Sequence, residues 1–223
     1  MKFPNRPSWV PRRKAKTIFV FSGGAVRGAA QIGMLKALCE AGIKPDAVVG
    51  VSIGAMNGFW FACSPQLGQV DELEKLWLQA VEEPPISGNA LRRVASILRG
   101  KPSFDTGEKL RKFLEDNVPV EKLNQTAVPF HLGTTNASTG LIKWWNKGPS
   151  VDLLLASAAL PGLLPAVQLG DNDYHLDGGV VSNIPLRKAV SMKPTKLVVL
   201  DVASRFLPPE KQTAISLLSL IHI

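Results

Sequence analysis

Gly50-Val51-Ser52-Ile53-Gly54 follows an apolar run (Ala47, Val48, Val49) and precedes a small-residue apolar stretch at 55–62. That layout reads as strand, sharp turn and helix, with the serine hydroxyl held out at the turn as in a nucleophile elbow. Gly50 and Gly54 fit this reading, because so tight a turn leaves no room for side chains two positions either side of Ser52. The first N–H groups of the helix would favour negative charge beside the hydroxyl. The chemistry indicated is nucleophilic attack on a carbonyl, which also requires a base and a place for the oxyanion.

Gly23-Gly24-Ala25 can offer backbone N–H groups at the start of the first helix. In a parallel sheet this loop and the elbow both emerge at the carboxyl ends of their strands, so they can be neighbours. A dinucleotide-binding turn fits poorly. The spacing is Gly-Gly-x-x-x-Gly, Ser52 stands where an acid is expected, and Asp46 lies at the wrong end of its strand. For the base, His131 lies in a strand and reads as a core or edge residue. His175 is two residues before Asp177 and shares its face on an extended strand. His222 is next to last in the chain. Asp177 ends a strand and is followed by Gly178 and Gly179, although Asp-Gly-Gly is also an ordinary turn. The residues alone leave the base open.

These groups need a scaffold of alternating elements. Residues 17–21 (TIFVF) read as a buried strand, 26–41 as a helix stopped by Gly42, and 47–51 as a second strand before the elbow helix. In the first helix, Arg27 with Gln31 and Lys36 with Glu40 mark the expected wet side. Gly28, Ala29, Ala30, Gly33 and Ala37 mark the side expected to approach the sheet. Residues 66–125 have a mainly helical pattern, broken at Pro84-Pro85 and Gly100-Lys101-Pro102, and are expected to form a helical insertion or cap. Strands are expected at 128–136, 141–146, 173–176 and 196–202, with a short helix at 150–159 ahead of Pro161-Gly162. Of Trp144 and Trp145, one ring is expected in the core and the other exposed. The fold class is α/β: a three-layer sandwich with a mostly parallel central sheet. Residues 17–223 are expected to form one catalytic domain, behind a basic tail at 1–16 that is expected to be flexible.

A hydrophobic fraction of 45% with 20% charged residues excludes a disordered chain. No apolar run reaches the roughly 18 to 20 residues that cross a bilayer. The N-terminus lacks the apolar stretch of a secretory signal, and the chain reads as cytoplasmic. Cys39 and Cys63 sit in apolar helical patterns and read as core residues, with no disulfide framework or metal-ligand spacing. No metal or other cofactor is expected. Of the net charge of +8, much resides in Lys2, Arg6, Arg12, Arg13, Lys14 and Lys16, a tail with no acid. Such a tail suits peripheral contact with an anionic membrane, as does the basic amphipathic stretch at 89–101. The rest of the chain is close to neutral and carries no nucleic-acid-binding motif, so no nucleic-acid partner is expected.

Four ordered pieces resemble the patatin-like phospholipase family. They are Ser22-Gly23-Gly24-Ala25-Val26-Arg27-Gly28-Ala29, the Ser52 elbow, Ala156-Ser157-Ala158-Ala159-Leu160-Pro161, and Asp177-Gly178-Gly179-Val180 trailing into Asn183 and Pro185. The resemblance covers most of the chain, from about 17 to 202. It implies a Ser–Asp dyad in place of a triad, with Ser52 as nucleophile, Asp177 as general base and Gly23, Gly24 and Ala25 as oxyanion hole. Ala25 stands where the family commonly has glycine. Its N–H serves equally well if φ is negative there. Arg27 matches the family's arginine and is expected to brace the loop.

The implied substrate is a phospholipid, lysophospholipid or other acyl-ester lipid. An exposed aspartate near pKa 4 is a weak base, so the dyad requires burial or a strong hydrogen bond to move Asp177. The rivals are a Ser-His-Asp esterase of the α/β-hydrolase type and a catalytically silent lipid-binding module. The ending 217–223 resembles translated sequencing-adapter read-through, which implies a truncated C-terminus with part of one sheet face uncovered.

Overall fold

The computed structural model describes residues 16–86 and 105–203. The basic tail at 1–15, the amphipathic stretch at 89–101 and the 217–223 ending with His222 lie outside the described residues.

Seven strands form one sheet: β1 (Thr17–Phe21), β2 (Ala47–Val51), β3 (Phe130–Asn136), β4 (Ile142–Trp145), β5 (Val167–Gln168), β6 (Tyr174–Asp177) and β7 (Lys196–Leu200). β7, β1, β2 and β3 lie side by side and parallel. β4 and β6 run antiparallel to β3, and β5 antiparallel to β6. Five strands therefore point one way, and the sheet is mostly parallel as the alternating pattern implied.

The helices are α1 (Ala29–Glu40), α2 (Ile53–Cys63), α3 (Leu67–Glu82), α4 (Glu108–Asn117), α5 (Ser150–Ala158), α6 (Gly179–Ser182) and α7 (Leu186–Ser191). Alternation along β1 divides the core. Phe19 and Phe21 face the larger cluster with Phe59, Phe61, Phe130, Leu132 and Leu154, while Ile18 and Val20 face a smaller one with Ala47, Val49 and Ala189. Both faces of β1 and β2 are buried, which accounts for the unbroken apolar runs TIFVF and AVVGV. Helices flank both faces, unevenly. α3 and α4 bury Val70, Leu73, Leu110 and Leu114 in the larger cluster. Among the described residues, no helix is long and apolar enough to cross a membrane.

Three local expectations need correction. α1 begins at Ala29, after a 3-10 turn at Ala25–Gly28. It is also rotated from the expected orientation: Gln31, Ile32 and Leu35 are buried, whereas Ala29, Ala30, Gly33 and Ala37 are exposed. A buried glutamine is tolerated because its amide is fully partnered, so residue polarity misidentified the wet face. Trp144 and Trp145 are both half-buried, since alternation on β4 sends them to opposite faces, each with neighbours to pack on.

Candidate active site

Ser52 follows β2 directly and precedes the first turn of α2, with φ +55° and ψ −134°. A non-glycine residue held at positive φ stores about 1–3 kcal/mol of strain, and such strain persists only where surrounding contacts over-determine it. One such contact is packing at Gly54. A Cβ there would stand 2.7 Å from the Phe21 carbonyl oxygen and closer still to that of Ser22. Glycine thus lets the elbow lie against the end of β1 and the loop that follows it. The two loops are neighbours, as parallel strands required.

Strand register brings Asp177 to Ser52. Val51 pairs with Gly133 on β3, and Asp177 pairs with the next residue, Thr134. β4 already occupies the other edge of β3 from Leu132 to Thr135. β6 must therefore share the β2 edge, and the two chain segments meet end to end. Both turn away at the meeting point, one at Ser52 and the other through Gly178, where a Cβ would strike the Gly133 carbonyl.

The Ser52 hydroxyl lies beside the Asp177 carboxylate and favours its charged form. The Gly179 N–H donates to Asp177 Oδ1 at 2.6 Å. Asp177 is buried, and burial pushes its carboxyl up to about 6 even though the Ser52 hydroxyl and the Gly179 N–H act to lower it. Of the two routes considered for moving this carboxyl, burial is the one that raises it.

The 22–28 loop is held from beneath. Gln31 Nε2 donates to the carbonyls of Ser22 and Leu200, the Val202 N–H donates to Ser22 Oγ, Asn57 joins Gln31 to the Gly28 carbonyl, and the Trp77 indole N–H donates to Asn57. Gly23 lies beside Ser52, but its N–H donates to the Asn183 carbonyl at 3.0 Å and is not open to an oxyanion. Among the described residues, the Gly24 and Ala25 amides have no partner. Ala25 has φ +48°, so the condition set for an alanine at this position is not met, and it carries left-handed strain. Arg27 is exposed, with no hydrogen-bond or salt-bridge partner among the described residues. Gln31 and Asn57 do the bracing expected of it.

The histidines are placed elsewhere. His131 points to the opposite face from Thr134 and Asp177; burial and the nearby Lys188 and Lys16 push its pKa down to about 4. His175 shares the Asp177 face, as expected, but both ring nitrogens are occupied. Nδ1 meets Thr134 Oγ1 at 2.9 Å and Nε2 meets Asp171 at 3.0 Å, with Trp145 packed edge-on against the ring. His222 lies outside the described residues.

Residues beyond the expected set also touch the site. Ser157 Oγ accepts from the Ser52 N–H and donates to the Gly133 carbonyl, both at 2.9 Å. The Asp177 N–H donates to the Ala159 carbonyl at 2.9 Å. Asn183, Ser157 and Ala159 all stood within noted motifs, yet a bond to a distant backbone group leaves no periodicity to read. Gln31 and Asn57 left a fainter signal, as polar residues inside apolar helices.

A profile described as "Patatin-like phospholipase" matches residues 19–190. The chain is 28% identical over 188 residues to the rat protein named "Patatin-like phospholipase domain-containing protein 7", covering 83% of this chain and 13% of that one. It is 27% identical over 187 residues to "Neuropathy target esterase sws" of Drosophila melanogaster, and 27% over 185 residues to "Lysophospholipase nte1" of Aspergillus terreus. These matches cover 83% of this chain and 13% and 12% of the relatives. The chain thus spans about an eighth of the length of these curated relatives. Among solved structures, VipD from Legionella pneumophila aligns with a TM-score of 0.49 and 15% identity, over 75% of this chain and 46% of that one.

Proposed function

Because this chain belongs to the patatin-like phospholipase family, we propose that it hydrolyses carboxylic ester bonds of phospholipids or lysophospholipids through Ser52 and Asp177. The observation carrying this reading is that strand register brings the Ser52 hydroxyl beside a buried carboxylate pushed up to about 6. A base is most useful when its pKa lies near the working pH, and Asp177 is closer to that range than an exposed aspartate.

In the first step Ser52 Oγ attacks the ester carbonyl carbon while its proton passes to Asp177. Charge collects on the former carbonyl oxygen, which the Gly24 and Ala25 amides are free to stabilise. Each such donor is typically worth about 3 kcal/mol in the transition state. The intermediate collapses as Asp177 returns the proton to the departing alcohol, leaving an acyl-Ser52 ester. Water then attacks that ester, giving its proton to Asp177, and the second collapse restores the Ser52 hydroxyl and releases the fatty acid. The likeness to a relative named as a lysophospholipase supports acyl-ester lipids, those of a single acyl chain included, as substrates. Peripheral contact with an anionic membrane belongs to the same proposal.

Phosphatidylcholine and lysophosphatidylcholine in mixed micelles, with fatty-acid release as readout, test the reading. Ser52→Ala and Asp177→Asn are each expected to lower turnover at least about 10³-fold. Replacing His131, His175 and His222 together is expected to leave it largely intact; loss there would favour a histidine base. Folded protein whose Ser52 resists a fluorophosphonate probe would instead indicate a silent lipid-binding module.

A further inference from the structure

The β2–β3 ladder stops one rung early. Val48 N–H donates to the Pro129 carbonyl, and parallel register repeats this bond every second residue, so the next rungs are Gly50 to His131 and Ser52 to Gly133. At the last rung the chain has turned to positive φ, and the direct bond is replaced by a hydroxyl. Ser157 Oγ takes the Ser52 N–H and gives its own proton to the Gly133 carbonyl. A hydroxyl is a small side-chain group that can both accept and donate, which is what an opened N–H···O=C rung requires. Ser157 is fully buried, so water does not readily take its place. Two residues on, the Ala159 carbonyl takes the Asp177 N–H.

We infer that Ser157 is a positioning residue for the proposed hydrolysis: its hydroxyl, inserted where the ladder opens, sets the Ser52 backbone at the end of the same segment that holds the Asp177 backbone. The C-terminal end of α5 therefore registers the nucleophile against its base without touching substrate. Removing the hydroxyl leaves the Ser52 N–H and the Gly133 carbonyl apart and unpartnered, because the packing at Gly54 keeps Ser52 at positive φ and off the ladder. Threonine preserves the bridge and alanine does not. The inference rests on the acyl-hydrolase reading, and its test separates the two.

Ser157→Ala and Ser157→Thr are compared with wild type at a temperature where circular dichroism shows all three folded. Expected for alanine are a kcat lower by about tenfold or more, KM within about twofold, a matching fall in the fluorophosphonate labelling rate of Ser52, and rescue by threonine. Amide exchange at Ser52, followed by NMR, is expected to accelerate at least about tenfold in the alanine variant and to recover with threonine. Unchanged Ser52 exchange in folded Ser157→Ala overturns the inference whether or not the protein hydrolyses esters. Faster exchange with unchanged kcat, or failure of threonine to rescue, overturns it as well. A wild type that turns over no ester and resists labelling overturns the hydrolase reading on which it rests.

Discussion

Asp171 and Asp177 bracket β6 and meet opposite electrostatic fates. Burial would raise Asp171, but Lys143 at 2.5 Å, the His175 ring and the Asp173 N–H together outweigh it and hold its carboxyl down to about 2. Asp177 is buried more completely, has only neutral donors, Ser52 and Gly179, and rises to about 6. The first corner is fully paired, with Lys143 also stacked over Trp145 and the imidazole tied to Thr134. The second combines an uncompensated carboxylate with the strained backbones of Ser52 and Ala25. A carboxylate neutralised by a cation makes a good strut and a poor base. Chemistry is supported where the compensating cation is missing.

The sharpest way to break this contrast is the matched pair Asp177→Asn and Asp171→Asn. Asp177 has a folded pKa above its ordinary 3.8, so its stabilisation is complete below about pH 4 and is lost as pH rises through about 6. Above that, the buried charge costs about 3 kcal/mol. Urea unfolding is therefore expected to find Asp177→Asn more stable than wild type at pH 8, by up to that amount, with the curves converging near pH 4. The same variant is expected to lose turnover. A less stable Asp177→Asn at pH 8 would mean that the Gly179 bond outweighs the buried charge.

For Asp171 the sign reverses. Its stabilisation is present above the ordinary carboxyl range and lost as pH falls through about 2. Lys143 is 41% exposed, so the pair is partly screened, and Asp171→Asn is expected to cost only about 1 kcal/mol at pH 7. Fluorophosphonate labelling of Ser52 should be retained. The pH dependence of kcat/KM sharpens the contrast further, with an acid limb near pH 6 and about tenfold loss per unit below it. A limb near 4 would place the working base in solvent. The smallest effect belongs to Ala25→Gly, which is expected to raise unfolding stability by about 0.5 kcal/mol, since relief of left-handed strain is partly offset by glycine's greater freedom in the unfolded chain.

The contrast also marks what could be read along the chain. Strands β1 and β2 and helix α2 were visible because burial all round demands continuous apolar runs, and the elbow because its glycines report a close approach. The orientation of α1 was not visible. Its buried stripe contains Gln31, whose amide is matched by carbonyls from the loop after β1 and from β7, far apart in sequence. Gly23 likewise looked like an open donor until folding brought the Asn183 carbonyl against it. His175 looked available until Thr134 and Asp171 occupied both its nitrogens.

By itself the sequence determined the strand–turn–helix at Ser52, the Asp-Gly-Gly exit from β6, the α/β class and the family, since each depends on local steric demands or on ordered motifs. Only the tertiary structure decided that Ser52 and Asp177 meet, that burial lifts the carboxyl, and that Ser157 holds the Ser52 amide. Those outcomes depend on β3, whose neighbouring residues Gly133 and Thr134 pair with segments more than a hundred residues apart in the chain. A register shared through a third strand leaves no mark in either segment alone.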